Sequence, residues 1–242
     1  MIQESEIVPY HTVPLPVMAG PWLVFAPHAD DETFGMGGTL AKAAQAGIAT
    51  HLVVVTDGSL GGEGEGLVET RKQEAQAAAA ILGMQSVTFM NQPDRGLQVN
   101  AATVEQASAL IAKHQPRAVF FPGVMELHPD HRTCALMVWQ ALQELNNPAI
   151  TPVSYEIAVQ SPINTLVDIT ATMTTKQEAM QVYLSQLQQQ RYVRVVEAMN
   201  ALRTLTLGSK ADYAEGFDVF QAESMKATLQ NLLAQRHARL FS

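Results

Sequence analysis

Residues 22–32 of the chain read WLVFAPHADDE, and the fold and the position of the site are both inferred from this stretch. The first five residues are apolar and two of them are aromatic, which is typical of a strand buried on both faces. His28, Asp30 and Asp31 follow directly. Because ligands of open α/β sheets bind beyond the carboxyl ends of the strands, the stretch predicts a site at one edge of a parallel sheet.

A second cluster of the same chemistry lies about a hundred residues further along the chain. Residues 118–122 form another apolar run, and the sequence HPDH follows at 128–131. Each cluster follows a predicted core strand and is rich in side chains that bind metals. Together they predict one metal site assembled from two loops.

The spacing of apolar residues indicates the fold class. Further apolar runs, typical of strands, lie at 51–56, 86–90 and, more weakly, 153–159. Segments with helical spacing lie between them at 33–46, 67–82 and 129–145, and about seventy residues from Thr170 are also predicted helical, with a weaker strand or loop at 213–220. The alternation predicts an α/β fold with a Rossmann-like, mostly parallel sheet flanked by helices and a helical C-terminal region.

Composition bounds the class of protein. The 242 residues are 47% hydrophobic and 16% charged, so we expect a folded chain, with residues 1–242 forming one domain. The net charge of −8 and the lack of a dense cluster of lysine and arginine argue against a nucleic-acid partner. A small-molecule substrate is expected instead, and a homo-oligomer stays open.

The same composition suggests a compartment. Lys42 is the first basic residue, so the sequence shows no cationic secretory leader, and three prolines interrupt the apolar residues 13–25, which are too few to span a bilayer. The single cysteine, Cys134, cannot form an internal disulfide and suits a reducing compartment. A cytoplasmic protein is predicted.

The two clusters together supply the ligands of a catalytic metal. A catalytic zinc ion takes three protein ligands and keeps one position open, and His28, Asp31 and His131 meet that number. Two histidines and one carboxylate also form the ligand set of non-haem iron enzymes, so Zn²⁺ and Fe²⁺ both stay open. Either cluster alone would equally suit a helix terminus, and it is their pairing that favours a metal.

The remaining polar residues of the clusters suit the chemistry of hydrolysis. A carboxylate beside the metal can accept the proton of the attacking water, and Asp30 is the candidate. A second histidine in its charged form can stabilise the oxyanion, a role that suits His128. Asp130 is expected to orient one of the imidazoles.

These motifs resemble the PIG-L/LmbE-like N-deacetylases. The resemblance covers at least residues 20–135 and, more weakly, 183–186 and 214–217. It rests on the sequences HADDE at 28–32 and HPDH at 128–131, with TDG at 56–58 and RKQE at 71–74. It implies a zinc-dependent hydrolase that removes acetyl groups from N-acetylglucosamine-type conjugates, with the strands at 22–26 and 118–122 side by side.

The resemblance also implies residue roles. His28, Asp31 and His131 match the zinc ligands, Asp30 matches the general base, and His128 matches the histidine that stabilises the intermediate. Some members have a tyrosine two residues before the first histidine of the second motif, which polarises the substrate carbonyl. Glu126 stands there in this chain, and Tyr155 and Tyr192 are the candidates to replace it.

Sugar contacts are predicted at Arg71 and Asp94, because planar charged side chains form paired hydrogen bonds with hydroxyls. The alternatives are an ion pair between Arg71 and Glu74 and an ordinary turn around Asp94. The glycine-rich segment 57–66 is either a mobile surface loop or a lid over the site.

Two other functions stay open at this point. One is a non-catalytic carbohydrate-binding protein of the same fold, against which the retention of Asp30 and His128 speaks. The other is a non-haem iron enzyme that uses the same histidines and carboxylate. The sequence does not indicate which acetylated sugar or aglycone would be used.

Overall fold

The structure, a computed structural model, describes residue 8 and residues 10–239. The expectation that no secretory leader is present concerns in part residues 1–7 and 9, which lie outside the described residues. Within the described part of the chain, no helix is both long and apolar enough to cross a bilayer.

Eight strands form one sheet in the order β1-β7-β8-β6-β5-β2-β3-β4. Their bounds are β1 His11–Thr12, β2 Trp22–Ala26, β3 Thr50–Thr56, β4 Ser86–Gln92, β5 Ala118–Pro122, β6 Thr151–Tyr155, β7 Thr165–Asp168 and β8 Ala214–Val219. Strand β8 runs antiparallel to β6 and β7, and every other neighbouring pair is parallel. The mostly parallel sheet is therefore confirmed.

Helices cover both faces of this sheet. Their bounds are α1 Asp31–Gln45, α2 Leu67–Ile81, α3 Ala101–His114, α4 Pro129–Leu145, α5 Met173–Gln181, α6 Leu184–Leu187, α7 Tyr192–Leu202 and α8 Leu229–Arg239. Two short 3-10 helices span Thr170–Thr172 and Ala222–Lys226.

Strand β2 shows why the first apolar run has no polar alternation. Trp22 and Val24 pack into the core on one face, whereas Leu23 and Phe25 pack into the core on the other. Successive side chains of a strand point to opposite faces, so a strand covered on both sides must be apolar throughout. The central position of β2 in the sheet follows from this pattern.

The predicted elements agree with the structure around the two motifs. Strand β2 pairs with β5 on one side and with β3 on the other, so the strands at 22–26 and 118–122 are neighbours as expected. The pattern of apolar residues predicts neither α3 nor β7. It indicates only a weak strand or loop at 213–220, whereas Ala214–Val219 is a strand inside the sheet. The prediction of mainly helix after Thr170 holds for α5 to α8.

Glycines in the first helix allow it to lie close to the sheet. A Cβ atom on Gly35 would lie 2.5 Å from Cδ2 of Tyr155, and one on Gly38 would lie 2.7 Å from Ile169. The helix is interrupted at Met36, whose φ is −142°. The backbone N–H groups of Gly38 and Thr39 donate instead to Glu215 on β8. Glycine at 35 and 38 is therefore a packing requirement.

Candidate metal centre

The two predicted clusters meet at the carboxyl edge of the sheet. Strand β2 leads into His28 and the start of α1, and the neighbouring strand β5 leads into His128 and the start of α4. The chain leaves β2 and β5 toward elements on opposite sides, which is the position where open α/β sheets bind ligands. Pro129 at the first position of α4 places His131 in its opening turn.

Asp31 lies between the imidazoles of His28 and His131. Its Oδ2 atom is 3.1 Å from Nδ1 of His28 and 3.2 Å from Nε2 of His131. The backbone N–H of His28 donates to the same oxygen over 2.9 Å and fixes the carboxylate. A tetrahedral ion with bonds of about 2.0–2.2 Å separates its ligand atoms by about 3.3 Å. The three side chains therefore have the chemistry of a divalent-cation site, and Asp31 lies at ligand spacing from both histidines.

A second grouping of potential ligands exists around the opposite side of His28. Nitrogens of His28 and His128 lie within 4.8 Å of oxygens of Asp94 and Asp130. These atoms already have partners, because Asp94 accepts the backbone N–H of Leu60 and Asp130 accepts that of Arg95. This second group is better described as the support of His28 than as a metal site of its own.

Carboxylates lie behind both candidate imidazole ligands. Nε2 of His28 lies 3.3 Å from Asp130 and 3.4 Å from Asp94, and Nδ1 of His131 lies 3.6 Å from Glu126. Carboxylates in this position set the tautomer and the direction of a metal-binding histidine. The expectation that Asp130 orients an imidazole agrees with this geometry, whereas the contribution of Glu126 was missed.

Glu126 is a buried side chain with several partners. Its carboxylate accepts the backbone N–H groups of Ile157 and Ala158 beside its contact with His131. In the sequence, Glu126 was noted only because it stands where some members of the family have a tyrosine. A carboxylate five residues before a candidate ligand was the available signal for its place behind His131.

The titration of these groups follows from their carboxylate partners. Burial alone would lower the pKa of His131, but Asp31 and Glu126 outweigh it and raise that pKa to about 9. Likewise, burial opposes protonation of His28, yet its bonds to Asp130, Asp31 and Asp94 raise its pKa well above the ordinary value. Burial would raise the pKa of Asp31, and the two imidazoles lower it far below the usual range. The centre is thus a region of negative potential that favours cations.

Asp30 is strained and buried next to the candidate ligands. Its backbone φ is 146°, a conformation that side chains other than glycine rarely adopt. Burial, opposed by the guanidinium of Arg71 at 3.6 Å, raises the pKa of Asp30 to about 7. Although Asp30 precedes α1 at the capping position, its side chain forms no capping hydrogen bond. Its carboxylate therefore stays available to accept a proton.

His128 caps the helix that carries His131. Its Nδ1 atom accepts the backbone N–H of Asp130 over 3.2 Å, so the proton of a neutral ring lies on Nε2. Burial, with the charges of His28 and His131, lowers the pKa of His128. A neutral ring would donate from Nε2, and the role of His128 at the oxyanion stays a prediction; its ring lines the cavity.

The two tyrosine candidates differ in their surroundings. Tyr155 is 1% exposed, and its hydroxyl donates to the carbonyl oxygen of Phe25 over 2.9 Å, so it does not face the site. Tyr192 lines the same cavity as the candidate ligands. Only Tyr192 is placed to meet a substrate.

Arg71 and Asp94 line the cavity too, but both already bond to the protein. Arg71 donates to the carbonyl oxygens of Ala29 and Gly58, and Asp94 lies against His28. Glu74 accepts from Ser185 instead of pairing with Arg71, which argues against the ion-pair alternative. Sugar contacts by Arg71 and Asp94 stay a prediction.

The glycine-rich loop is attached to the site through the polar side chains of the cavity. Arg71 binds Gly58, Arg95 and Asp94 bind Leu60, and Gln186 binds Gly61. Residues 63–66 of the loop are exposed. Gly61 of the segment lines the cavity, and residues 58–61 are bonded to side chains around it. The whole cavity has a volume of about 440 Å³, within the usual range for small-molecule sites.

The sequence of the chain matches a known protein family. The PIG-L family, described as GlcNAc-PI de-N-acetylase, matches residues 23–142. Over 128 residues the chain is 32% identical to the diacetylchitobiose deacetylase of Thermococcus kodakarensis, an alignment that covers 50% of this chain and 48% of that protein. The chain thus spans about half the length of this curated relative.

Solved structures extend the similarity over most of the fold. An N,N'-diacetylchitobiose deacetylase from Pyrococcus horikoshii is 25% identical with a TM-score of 0.76, and the match covers 86% of each chain. A conserved protein from Thermus thermophilus is 29% identical with a TM-score of 0.74, over 83% of this chain and 94% of that one.

Proposed function

We propose that the chain, whose residues 23–142 match the PIG-L family, is a metal-dependent hydrolase that removes the acetyl group from N-acetylglucosamine-type amino sugars. Two similar proteins, from Thermococcus kodakarensis and Pyrococcus horikoshii, are diacetylchitobiose deacetylases, which supports an amino-sugar substrate. The proposed metal is Zn²⁺, and Fe²⁺ fits the same donor set.

One observation carries the proposal. Asp31 lies between His28 and His131 at 3.1 and 3.2 Å, and the next carboxylate, Asp30, is held in a strained conformation beside them. A site that only bound a sugar would have no use for a strained, buried carboxylate whose pKa is raised to about 7. A general base close to neutrality is what hydrolysis at physiological pH requires.

The side chains divide the work of amide hydrolysis. His28, Asp31 and His131 would hold the cation, which when bound polarises an amide carbonyl and makes water more acidic. Asp30 accepts the proton of the attacking water and delivers it toward the leaving amine. His128 donates from Nε2 to the oxygen that becomes negative, and Glu126 and Asp130 keep the two imidazoles in place.

Acetate release tests the function. The substrates are N-acetylglucosamine, its α-linked malate and inositol conjugates and chito-oligosaccharides, each with and without a chelator. We expect acetate from at least one amino sugar and loss of release with the chelator. An active enzyme that cleaves simple aliphatic acetamides and ignores every amino sugar would overturn the proposal.

Metal content tests the ligands independently of substrate. His28→Ala, Asp31→Ala and His131→Ala should each lose most of the bound metal. His114→Ala is the matched control, because His114 lies at the end of α3 and stacks near His51, away from the cavity. Full metal occupancy in all three variants would refute the ligand assignment.

A further inference from the structure

The sheet order divides the cavity into two unlike walls on either side of the candidate ligands. The exits of β2 and β5 provide the candidate metal centre, with β3 and β4 beyond β2 and with β6 beyond β5. We call the first wall the polar wall, lined by Gly61, Arg71, Asp94 and Arg95, and the second the apolar wall, lined by Phe34, Leu127, Ile157, Ala158, Tyr192 and Val196.

The apolar wall has members both in the interior and at the rim of the cavity. Phe34, Val196 and Ile157 are 5%, 5% and 8% exposed, whereas Leu127 at the rim is 74% exposed. The ring of Tyr192 stacks on Phe34 with centroids 5.5 Å apart. Among the described residues, each charged or imidazole side chain that lines the cavity comes from the metal centre or the polar wall.

This wall is more extensive than an acetyl group requires. Leucine, isoleucine, valine and two aromatic rings offer a surface that gains from contact with hydrocarbon. The polar wall, in contrast, presents guanidinium donors and a carboxylate acceptor, which suit the hydroxyls of a sugar.

The geometry of an amide then assigns each part of the substrate to a wall. A secondary amide is planar and trans, so its nitrogen and acyl substituents extend to opposite sides of the C–N bond. With the carbonyl at His28, Asp31 and His131, the sugar on nitrogen lies against the polar wall. The acyl chain then lies against the apolar wall.

We propose that the preferred substrate carries an N-acyl group longer than acetyl, so that the enzyme releases a short or medium-chain fatty acid from an amino sugar. The inference rests on the proposed function, since it concerns the same bond. One water is consumed: the amide C–N bond breaks, a C–O bond forms, and both protons of the water pass to the nitrogen, so that the products are a carboxylate and an ammonium group.

A series of glucosamine amides tests the inference on the metal-loaded protein. Release of the free amine is measured for the N-acetyl, N-butanoyl and N-hexanoyl derivatives of glucosamine, beside the methyl and hexyl glycosides of N-acetylglucosamine, which would yield the corresponding glucosaminides. A fully buried methylene increases kcat/KM by up to about fourfold, so we expect the hexanoyl compound to exceed the acetyl compound by on the order of tenfold or more.

Two variants place this preference on the apolar wall. Leu127 is exposed, so Leu127→Ser should fold normally, whereas Val196→Ser changes a buried residue deeper in the cavity. If Val196→Ser fails to fold, Leu127→Ser still tests the inference. Both should lower the ratio of hexanoyl to acetyl turnover severalfold. Val195→Ser is the matched control, because Val195 is 55% exposed on the same helix and does not line the cavity, and its ratio should equal that of the wild type.

The remaining outcomes separate this inference from the proposed function. Turnover that falls steadily from acetyl to hexanoyl leaves the deacetylase function in place and overturns the longer acyl group. A gain that appears with the hexyl glycoside instead would assign the apolar wall to the aglycone and would also overturn it. Release of glucosamine from none of the amides would contradict both.

Discussion

Asp30 is where the backbone, the electrostatics and the proposed chemistry meet. Its φ of 146° turns the chain between β2 and α1, and its carboxylate faces Arg71 at 3.6 Å without capping the helix. Strain of this kind costs of order 1–3 kcal/mol and persists only where the surrounding structure enforces it. Its position next to Asp31 links the strain to the proposed function.

The variant Asp30→Asn tests whether Asp30 acts as the general base while Asp31 binds the metal. The amide keeps the size of the side chain but cannot accept a proton, so we expect kcat to fall by roughly 10² to 10⁴ while metal binding survives. The apparent substrate affinity should change little, because the lost interaction belongs to the transition state. Metal stoichiometry and turnover are measured on one preparation. Loss of the metal would make Asp30 a ligand.

Glu126 provides a second test at the scale of single residues. Its carboxylate lies 3.6 Å from Nδ1 of His131, and Glu126→Gln keeps the shape while removing the charge. We expect metal affinity to fall by roughly 10- to 100-fold, the usual effect of losing such a carboxylate. Competition with a chelator measures this. Glu144→Gln, exposed on the same helix as His131, is the control and should bind metal normally.

The sequence predicted the candidate ligands and Asp130 behind an imidazole, but not the places of Glu126 and Asp94. His28, Asp31 and His131 lie within short motifs directly after apolar runs. Glu126 and Asp94 reach the same imidazoles only because separate loops meet at the sheet edge. Local spacing carries no information on such contacts between distant segments.

The loop after β3 and the helix α2 act as one unit at the next scale. A Cβ on Gly61 would lie 2.1 Å from an Nη atom of Arg71, and the positive φ of Gly58 bends the chain around the same guanidinium. The sequence DGSLGG is therefore shaped to hold Arg71, which in turn lies beside Asp30. The composition of the segment alone did not distinguish a mobile surface loop from a lid over the site.

A pair of glycine variants tests this unit. Gly61→Ala should displace the guanidinium from Asp30 and lower kcat/KM by roughly tenfold, with little effect on folding because the clash meets the end of a side chain. Gly62→Ala is the neighbouring control, since its added Cβ would meet nothing closer than 3.4 Å. Kinetics and thermal unfolding of both variants provide the check. Equal activity in the two would show that the position of Arg71 is unimportant.

Elements with a simple pattern were the ones predicted. Strands β2 and β5 and helices α1, α2 and α4 have continuous apolar runs or clear apolar faces. Strand β7 is only four residues long, and β8 contains Glu215 and Asp218 among its buried residues, so neither has the apolar run of a core strand. Lys176 neutralises Glu215 over 2.7 Å, a compensation that sequence spacing does not reveal.

The sheet order determines the site at the scale of the whole molecule. It places the exits of β2 and β5 side by side, with polar side chains from the segments after β3 and β4 on one flank and apolar ones from the segment after β6 and from α7 on the other. The expectation that the two motifs meet is confirmed, and it rested on a parallel sheet together with the strand order that the family resemblance implies. The contrast between the flanks could not be predicted, since the apolar flank combines Phe34, Leu127 and Ile157 with residues of α7 that are distant in sequence.

The central claim is that a cation held by His28, Asp31 and His131 supports hydrolysis of an N-acyl amino sugar. Metal-stripped protein is titrated with Zn²⁺, and glucosamine release from its N-acetyl derivative is measured at each addition. Activity should be absent without metal, rise in proportion to Zn²⁺ and level off at about one equivalent per chain. Full turnover by the stripped protein in the presence of a chelator would contradict the account.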